Sequence, residues 1–448
     1  MDYQLIDTLL DLATKAGFTQ AEAYYTQGES FNVSVLDGEI EDYRVESQQG
    51  LSLRGLIDGK MGYASTEAVD EEDLDELVAA AKENAALIQS PDQTPLHDGK
   101  DEIEQEKKEN MIARLSAKEK IELALEMERL AKAADPRVLR MEGCELGTQV
   151  SRRIIQNTLG LRRESSGALG FAAAMPIIKN GEDMLSGMYF EAFDDFNKLD
   201  IKRVAEKAVE DGVAYIGASS MPSGSMPVVL RNDVMATLLR VFSGVFSAEA
   251  ADKGLSLLKG REGESIAAAC VTLWDDPFCE QAYSGSSFDG EGVATHKKAV
   301  VENGSFRTLL YNLKYAKKAG IASTGNASRP SYASTVGIAP SNFYLAPGQC
   351  SREALFERAK NGVMITDLMG MHAGANPVSG DFSLAAKGFL IQEGKIVRPV
   401  EQITVAGNFY ALLQGVQAVA DDLWFTLPGA SSFGSASVLV EGLSIAGK

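Results

Sequence analysis

Residues 31–64 read FNVSVLDGEIEDYRVESQQGLSLRGLIDGKMGYA. Two Asp-Gly pairs, Asp37-Gly38 and Asp58-Gly59, punctuate this stretch, and each is flanked by runs rich in β-branched, aromatic and apolar residues. Asp-Gly suits the two-residue turn in which both central residues take positive φ, the geometry that matches the twist of paired strands. Phe31–Leu36 is therefore predicted to pair with Glu39–Val45, and Leu51–Ile57 with Lys60–Ala64. An antiparallel sheet near the N-terminus follows.

The flanking segments supply covers for that sheet. Tyr3–Ala16 spaces Leu5, Leu9, Leu12 and Ala16 on one helical face and stops at Gly17. The acidic run Asp70–Asp73 suggests a cation site at first sight. The alternative is the first turn of a helix, where the dipole favours negative charge, with Leu74, Leu77, Val78, Ala81, Ala85 and Ile88 as the buried stripe. Ser116 and Glu119 form a capping box for a helix that reaches Ala134 and is stopped by Asp135-Pro136. Val138–Thr158 and Leu161–Pro176 read as long strands, and Ile201–Ala214 as a further helix. Residues 90–110 turn polar and read as an exposed connection, with His97 solvated.

A chain of 448 residues exceeds one ordinary core. MPSGSM at 221–226 marks a boundary, giving an expected division into 1–224 and 225–448. The second half is rich in strands and turns: Asn303-Gly304 and Glu393-Gly394 join extended segments, and SASVLVEGLSI at 435–445 is strand-like. Short helices are expected over Asp233–Phe246, Ser351–Ala359 and Phe409–Val419. The fold class is α+β: two mixed domains, the first with helices on an antiparallel sheet, the second with a large, curved, barrel-like antiparallel sheet.

The net charge of -20, from 63 acidic and 43 basic side chains, repels phosphate backbones and anionic lipid. Direct nucleic-acid and membrane partners are disfavoured. The opening MDYQLIDTLLDLATKAG has no basic region before an apolar run, so a cytoplasmic location is expected. Cys144, Cys270, Cys279 and Cys350 are scattered without a CxxC pair and read as reduced, buried small hydrophobes.

Three histidines, at 97, 296 and 372, are far apart in sequence, and no GxSxG, GxGxxG or GxxxxGK[ST] occurs. Cys279 with His296, and Cys350 with His372, lack any local signature of a nucleophile and base. His296 reads as an exposed strand residue. Asp275, Asp276 and Asp289 have the chemistry to gather a cation, but Trp274-Asp275-Asp276-Pro277 reads equally as an Asx-type turn. The most loop-like candidate is GMHAGANPVSGDF at 370–382, with one histidine among three glycines and a proline.

Several stretches in a fixed order resemble the TldD/PmbA family, also called modulators of DNA gyrase. They are VLDGEIEDYRVESQQGLSLRGLIDGKMGYAS at 35–65, DDP at 275–277, SSFDGEGVAT at 286–295, VVENG at 300–304 and YNLKYAKKAG at 311–320. STGNASR at 323–329, PSNFYLAPG at 340–348, NPVSGDFSLAAKGFLIQEGKI at 376–396 and PVEQITVAGN at 399–408 continue the series. The resemblance runs nearly end to end. It implies an intracellular metalloprotease whose TldD branch carries HExxxH on a helix, completed by a cysteine. The corresponding helix here is ATLLRVFSGVFSAEA at 236–250, and matching its Leu-Leu pair places Arg240, Val241 and Val245 where His, Glu and His would stand. A guanidinium cannot ligate zinc and valine has no lone pair.

The resemblance thus implies the PmbA/TldE branch: a non-catalytic subunit with no cofactor of its own, paired in a heterodimer with a TldD-type catalytic subunit that holds the zinc. A homodimer of the chain alone is also expected. Extended peptides would be taken up as an added strand, whose backbone bonds give affinity with little regard to side chains. The 370–382 loop would border the lost metal site, making His372, Asn376 and Asp381 candidate peptide-cleft residues. Two alternatives stay open, an autonomous peptidase with an unrecognised site and a binding protein that modulates DNA gyrase.

Overall fold

The computed structural model describes residues 3–89, 94, 96–103, 112 and 115–448. Its first half runs α1 (Tyr3–Lys15), β1 (Gln20–Leu36), β2 (Glu39–Ile57), β3 (Lys60–Thr66), α2 (Leu74–Leu87), α3 (Ala117–Ala134), β4 (Val138–Asn157), β5 (Arg162–Asn180), β6 (Asp183–Ser186), β7 (Tyr189–Phe193) and α4 (Ile201–Val213). The strands form one antiparallel sheet in the order β3-β2-β1-β4-β5-β6, with β7 also on β5. Asp37 and Gly38 take φ of 54° and 80°, and Asp58 and Gly59 take 51° and 73°, the turn geometry their sequence predicts.

The segments expected as separate strands at 39–45 and 51–57 are one strand. Glu46 to Gly50 stay paired to Ser30 through Thr26 of β1, and β1 itself begins at Gln20. The polar run ESQQG carries no apolar alternation, so periodicity missed it. Backbone pairing to β1 holds it there, with the Tyr25 hydroxyl donating to Gln49 Oε1 at 3.3 Å.

All four helices lie on one face of the sheet. Odd-numbered β1 residues point to them: Ala21, Ala23 and Tyr25 pack with α1 and α2, while Phe31, Val33 and Val35 pack with α3 and α4. Even-numbered residues Glu22, Tyr24, Thr26 and Gly28 therefore face the other way, toward the second half. The capping box of α3 is present, with Ser116 Oγ accepting from the Glu119 amide and Glu119 Oε2 accepting from the Ser116 amide at 2.8 Å. The acidic run forms a 3-10 turn, Glu71–Asp73, leading into α2.

His97 is not solvated as expected. Its Nε2 lies 2.6 Å from Asp101 Oδ1 and the ring is largely buried. Asp101 also accepts from the Ala294 amide at 2.6 Å and from Arg163, so this part of the connection is held between β5 and the second half. Much of the remaining 90–110 stretch falls outside the described residues.

In the second half most strands divide between two large sheets, with 327–328 and 337–338 forming a separate antiparallel pair. One joins, in order, 416–419, 438–440, 228–230, 362–369, 381–392, 395–408, 444–446 and 224–225; the other joins 305–306, 298–302, 273–275, 342–345, 432–435 and 424–425. Each is antiparallel but for one parallel pair, 228–230 with 362–369 and 342–345 with 432–435. Register shifts along 362–369, 381–392 and 395–408 bend the longest strands. The fold is thus mixed, with helices and an antiparallel sheet first and predominantly antiparallel sheets after.

The helix expected over Asp233–Phe246 is α5 (Asn232–Phe242) followed by a 3-10 turn, Ser243–Phe246. That expected over Phe409–Val419 ends at Gln414: after Gly415, Val416–Val419 pairs as a strand with Val438–Val440. Among the described residues no helix is long and apolar enough to cross a membrane.

Candidate functional site

Helix α5 buries Val234, Met235, Leu238, Leu239 and Phe242, spacings that follow one helical face. Arg240 points to solvent, Val241 is half-buried against the core, and Val245 is buried in the 3-10 turn. Ser256 Oγ donates to the Val245 carbonyl at 2.5 Å. None of these three side chains offers a lone pair to a metal. Among the described residues no three His, Cys, Asp or Glu side chains converge as metal ligands.

The 370–382 loop lies beside this helix through its last residue: the Phe382 ring is 6.2 Å from Phe242, which stacks on Phe409 at 4.7 Å. Gly370, at φ 83°, opens a single helical turn, Met371–Gly374, that carries His372 exposed. Asn376 folds back on its own loop, Oδ1 accepting from the amides of Val378 and Ser379 at 3.0 and 3.2 Å. Asp381 Oδ1 accepts from Asn408 Nδ2 at 2.8 Å, and the bonds from Asn408 and Ser379 hold its carboxyl below the usual range. Asn376 and Asp381 are exposed but bond within the protein, and His372 is exposed as well.

The acidic residues weighed as cation ligands are each occupied separately. Asp275, fully buried, pairs with Lys298 at 2.9 Å and accepts from Asn326 Nδ2, the Ser341 amide and Ser341 Oγ at 2.7 Å each. Asp276 pairs with Lys297 at 2.9 Å, and its Oδ1 accepts from the Phe278 amide as an Asx turn requires. Asp289 accepts from the amides of Glu291, Val293 and Ala327 at 2.8, 3.0 and 2.9 Å. His296 is exposed, just before the strand Lys298–Glu302. Of the cysteines, Cys144 is buried as expected, but Cys270 is exposed.

What periodicity did not reveal is a buried charge cluster between the two halves of the chain. Arg54 donates from Nε and Nη2 to both oxygens of Glu22, at 2.6 and 3.1 Å, and from Nη1 to Glu291 at 3.1 Å. Arg329 donates to Glu22 at 3.0 Å and lies over the Tyr24 ring at 4.3 Å. Glu291 Oε2 also accepts from the Leu313 amide at 2.8 Å. Burial opposes the Arg54 cation, but Glu22 and Glu291 outweigh it and raise its pKa; for Arg329, burial and then the nearby Arg54 lower it. The sequence signal was Arg54 inside the apolar run LSLRGLI at 51–57, where an unpaired cation would be costly.

Beside this cluster a cleft of about 640 Å³ separates the helix-free face of the sheet from the loops of the second half. Its floor carries Thr26, Gly28, Gln48, Ser151 and Gly167, and its roof includes Ser286, Phe288 and Ser328. Gly28 lies opposite Ser151 and Ser151 opposite Gly167, so the floor stays low across three strands.

This architecture is that of the PmbA/TldA metallopeptidases: the family's C-terminal domain matches residues 223–447, its domain 1 residues 21–85 and its central domain residues 111–214. The chain belongs to the PmbA/TldD family. A metalloprotease PmbA homolog from Haemophilus influenzae is 28% identical over 99% of this chain and 96% of its own. The crystal structure of a putative modulator of a DNA gyrase from Thermotoga maritima superposes with a TM-score of 0.90 at 33% identity, covering 99% of this chain and 100% of that one. TldE from Thermococcus kodakarensis gives 0.90 at 25% identity over the same shares. A metallopeptidase family implies a bound metal, and Arg240, Val241 and Val245 do not have the chemistry to hold one.

Proposed function

We propose that this chain is the non-catalytic, PmbA/TldE-type subunit of a two-component peptidase, with zinc and water activation supplied by a TldD-type partner in a heterodimer. The single observation that carries the reading is the donor set of α5 and its following turn: a solvent-facing guanidinium and two valines. Relatives described as PmbA and TldE support the branch. The substrates are extended, unfolded or modified peptides. On β5, residues 162–169 pair with β4 on one side; among the described residues no strand pairs with their other edge, since β7 takes Gly170–Ala174 and β6 takes Ile177–Asn180. An open strand edge bordering a cleft suits a peptide added as a strand. The proposal includes a cytoplasmic location and a homodimer when the chain is alone.

Mixing the purified chain with a TldD-type subunit tests the reading. The expected result is a stable complex that cleaves unfolded peptide, with zinc bound by the partner. Peptide cleavage by this chain alone, with one zinc per chain, overturns it.

A further inference from the structure

The cleft is lined by three cations, Arg152, Arg153 and Arg329, and one carboxylate, Asp289, in a chain whose net charge is -20. Arg152 is matched by Glu164 at 2.6 Å, and Asp289 is occupied by backbone amides. Arg153 is different. Its Nη2 donates to neutral acceptors, Ser286 Oγ at 2.8 Å and the Phe288 carbonyl at 2.9 Å, and its guanidinium lies over the Phe288 ring at 4.5 Å. No carboxylate among the described residues pairs with it, and its Nε is buried without an acceptor. Arg329, whose side chain is fully buried, likewise has Nε and Nη2 without acceptors.

Buried donors of this kind ask for an explanation, because each lost bond carries a desolvation penalty and a charged donor carries more. A planar guanidinium with spare N–H groups matches the two oxygens of a carboxylate better than any neutral group. The low floor at Gly28, Ser151 and Gly167 leaves room for a polypeptide backbone above the sheet.

We infer that this cleft binds the carboxylate of an extended peptide, with Arg153 reading the charge and Arg329 fixing the wall behind it. The inference rests on the peptide-handling role proposed above and adds the chemical class it selects. The carboxylate comes either from the peptide's C-terminus or from an acidic side chain. Both present the same two oxygens.

Calorimetric titration of the full-length chain with three acetyl-capped octapeptides of Ser, Thr and Val tests it. One ends in a free carboxylate, one in an amide, and one in an amide with a single Glu replacing an internal Ser. The free acid, the Glu peptide, or both are expected to bind about tenfold more tightly than the neutral amide, and the pattern identifies the source. Arg153→Gln should erase that ratio in a chain that still folds and unfolds cooperatively, while Arg153→Lys should keep part of it. Equal affinity for all three peptides, no detectable binding of any, or an undiminished ratio in a folded Arg153→Gln variant each overturns the inference. Complex formation with a TldD-type subunit is scored separately, so these results leave the subunit assignment standing or falling on its own test.

Discussion

Arg54 and Glu291, 237 positions apart in the chain, close an ion pair of 3.1 Å between β2 and the loop that follows Phe288. Through Glu22 the pair continues to Arg329, so two cations and two anions from both halves of the protein share one buried cluster. Tyr24, Ile155, Leu161 and Phe288 form an apolar contact next to it. The relation of the sheet to the second half, and hence the shape of the cleft, depends on this cluster.

Removing one member of such a cluster strands the others. Arg54→Met should lower stability by about 3–5 kcal/mol, since Glu22 and Glu291 are then left buried together without that cation. Urea denaturation will show a lower midpoint. A Glu291→Gln variant should fall in the same direction by less, because Arg54 keeps both bonds to Glu22.

Burial, and then the neighbouring Glu291, push the Asp289 carboxyl up to about 7, against the pull of three backbone amides. Between the ordinary aspartate range near 4 and this value the folded chain keeps a proton that the unfolded chain has lost, so this group's contribution to stability falls as pH rises. Asp289→Asn has nothing to titrate there. The stability gap between wild type and variant should therefore narrow from pH 4.5 to pH 7.5 (about the limits of that window). Asp101, whose carboxyl is lowered by the Ala294 amide, His97 and Arg163 in spite of burial, acts with the opposite sign but is common to both proteins and cancels. A gap that does not change with pH would contradict the assignment.

Gly50 lies beneath the Tyr332 ring, and a Cβ there would come within 2.2 Å of it. Gly50→Ala must move the ring, together with the Tyr332 hydroxyl bond to Glu67 at 2.5 Å and the Tyr63 hydroxyl bond to the Tyr332 carbonyl. The expected loss is about 1–3 kcal/mol, with faster proteolysis in the segment around Tyr332. Unchanged melting and digestion would show that the two segments are not in contact in solution.

The cysteines should separate by reactivity. Burial pushes the Cys144 thiol up to about 12; it also raises the Cys270 thiol, but Cys270 is exposed and open to reagent. Iodoacetamide at mildly alkaline pH should modify Cys270 and spare Cys144 until the protein is unfolded in urea. Peptide mass mapping reads the result directly.

Much of the local structure was legible in the residues themselves. Asp-Gly at 37–38 and 58–59, and Asn303-Gly304 and Glu393-Gly394, all place a non-glycine residue and its following glycine at positive φ; Asp and Asn tolerate that geometry, while Glu393 takes it in a turn closed by the pairing of Gln392 with Lys395. The Ser116/Glu119 box fixed the start of α3 for the same local reason. Reading failed where pairing rather than side-chain pattern decides structure. The polar ESQQG continues β2 because β1 satisfies its backbone, and VQAV after Gly415 is a strand because a partner waits at 438–440.

For the site, the sequence by itself determined chemistry: Arg240, Val241 and Val245 cannot coordinate zinc in any fold, since the limitation lies in their atoms. It also determined the alternation that puts Phe31, Val33 and Val35 on one face of a strand. Only the tertiary structure decided that Arg54 meets Glu291, that Asp381 bonds to Asn408, and that Arg153 lines a cleft where no carboxylate among the described residues pairs with it. The first and last depend on contacts between residues more than a hundred positions apart, and the Asp381 bond on a partner 27 positions away across a strand pair. Ionic and hydrogen-bonding partners leave no periodic trace along a chain, whereas turn geometry and helix faces do.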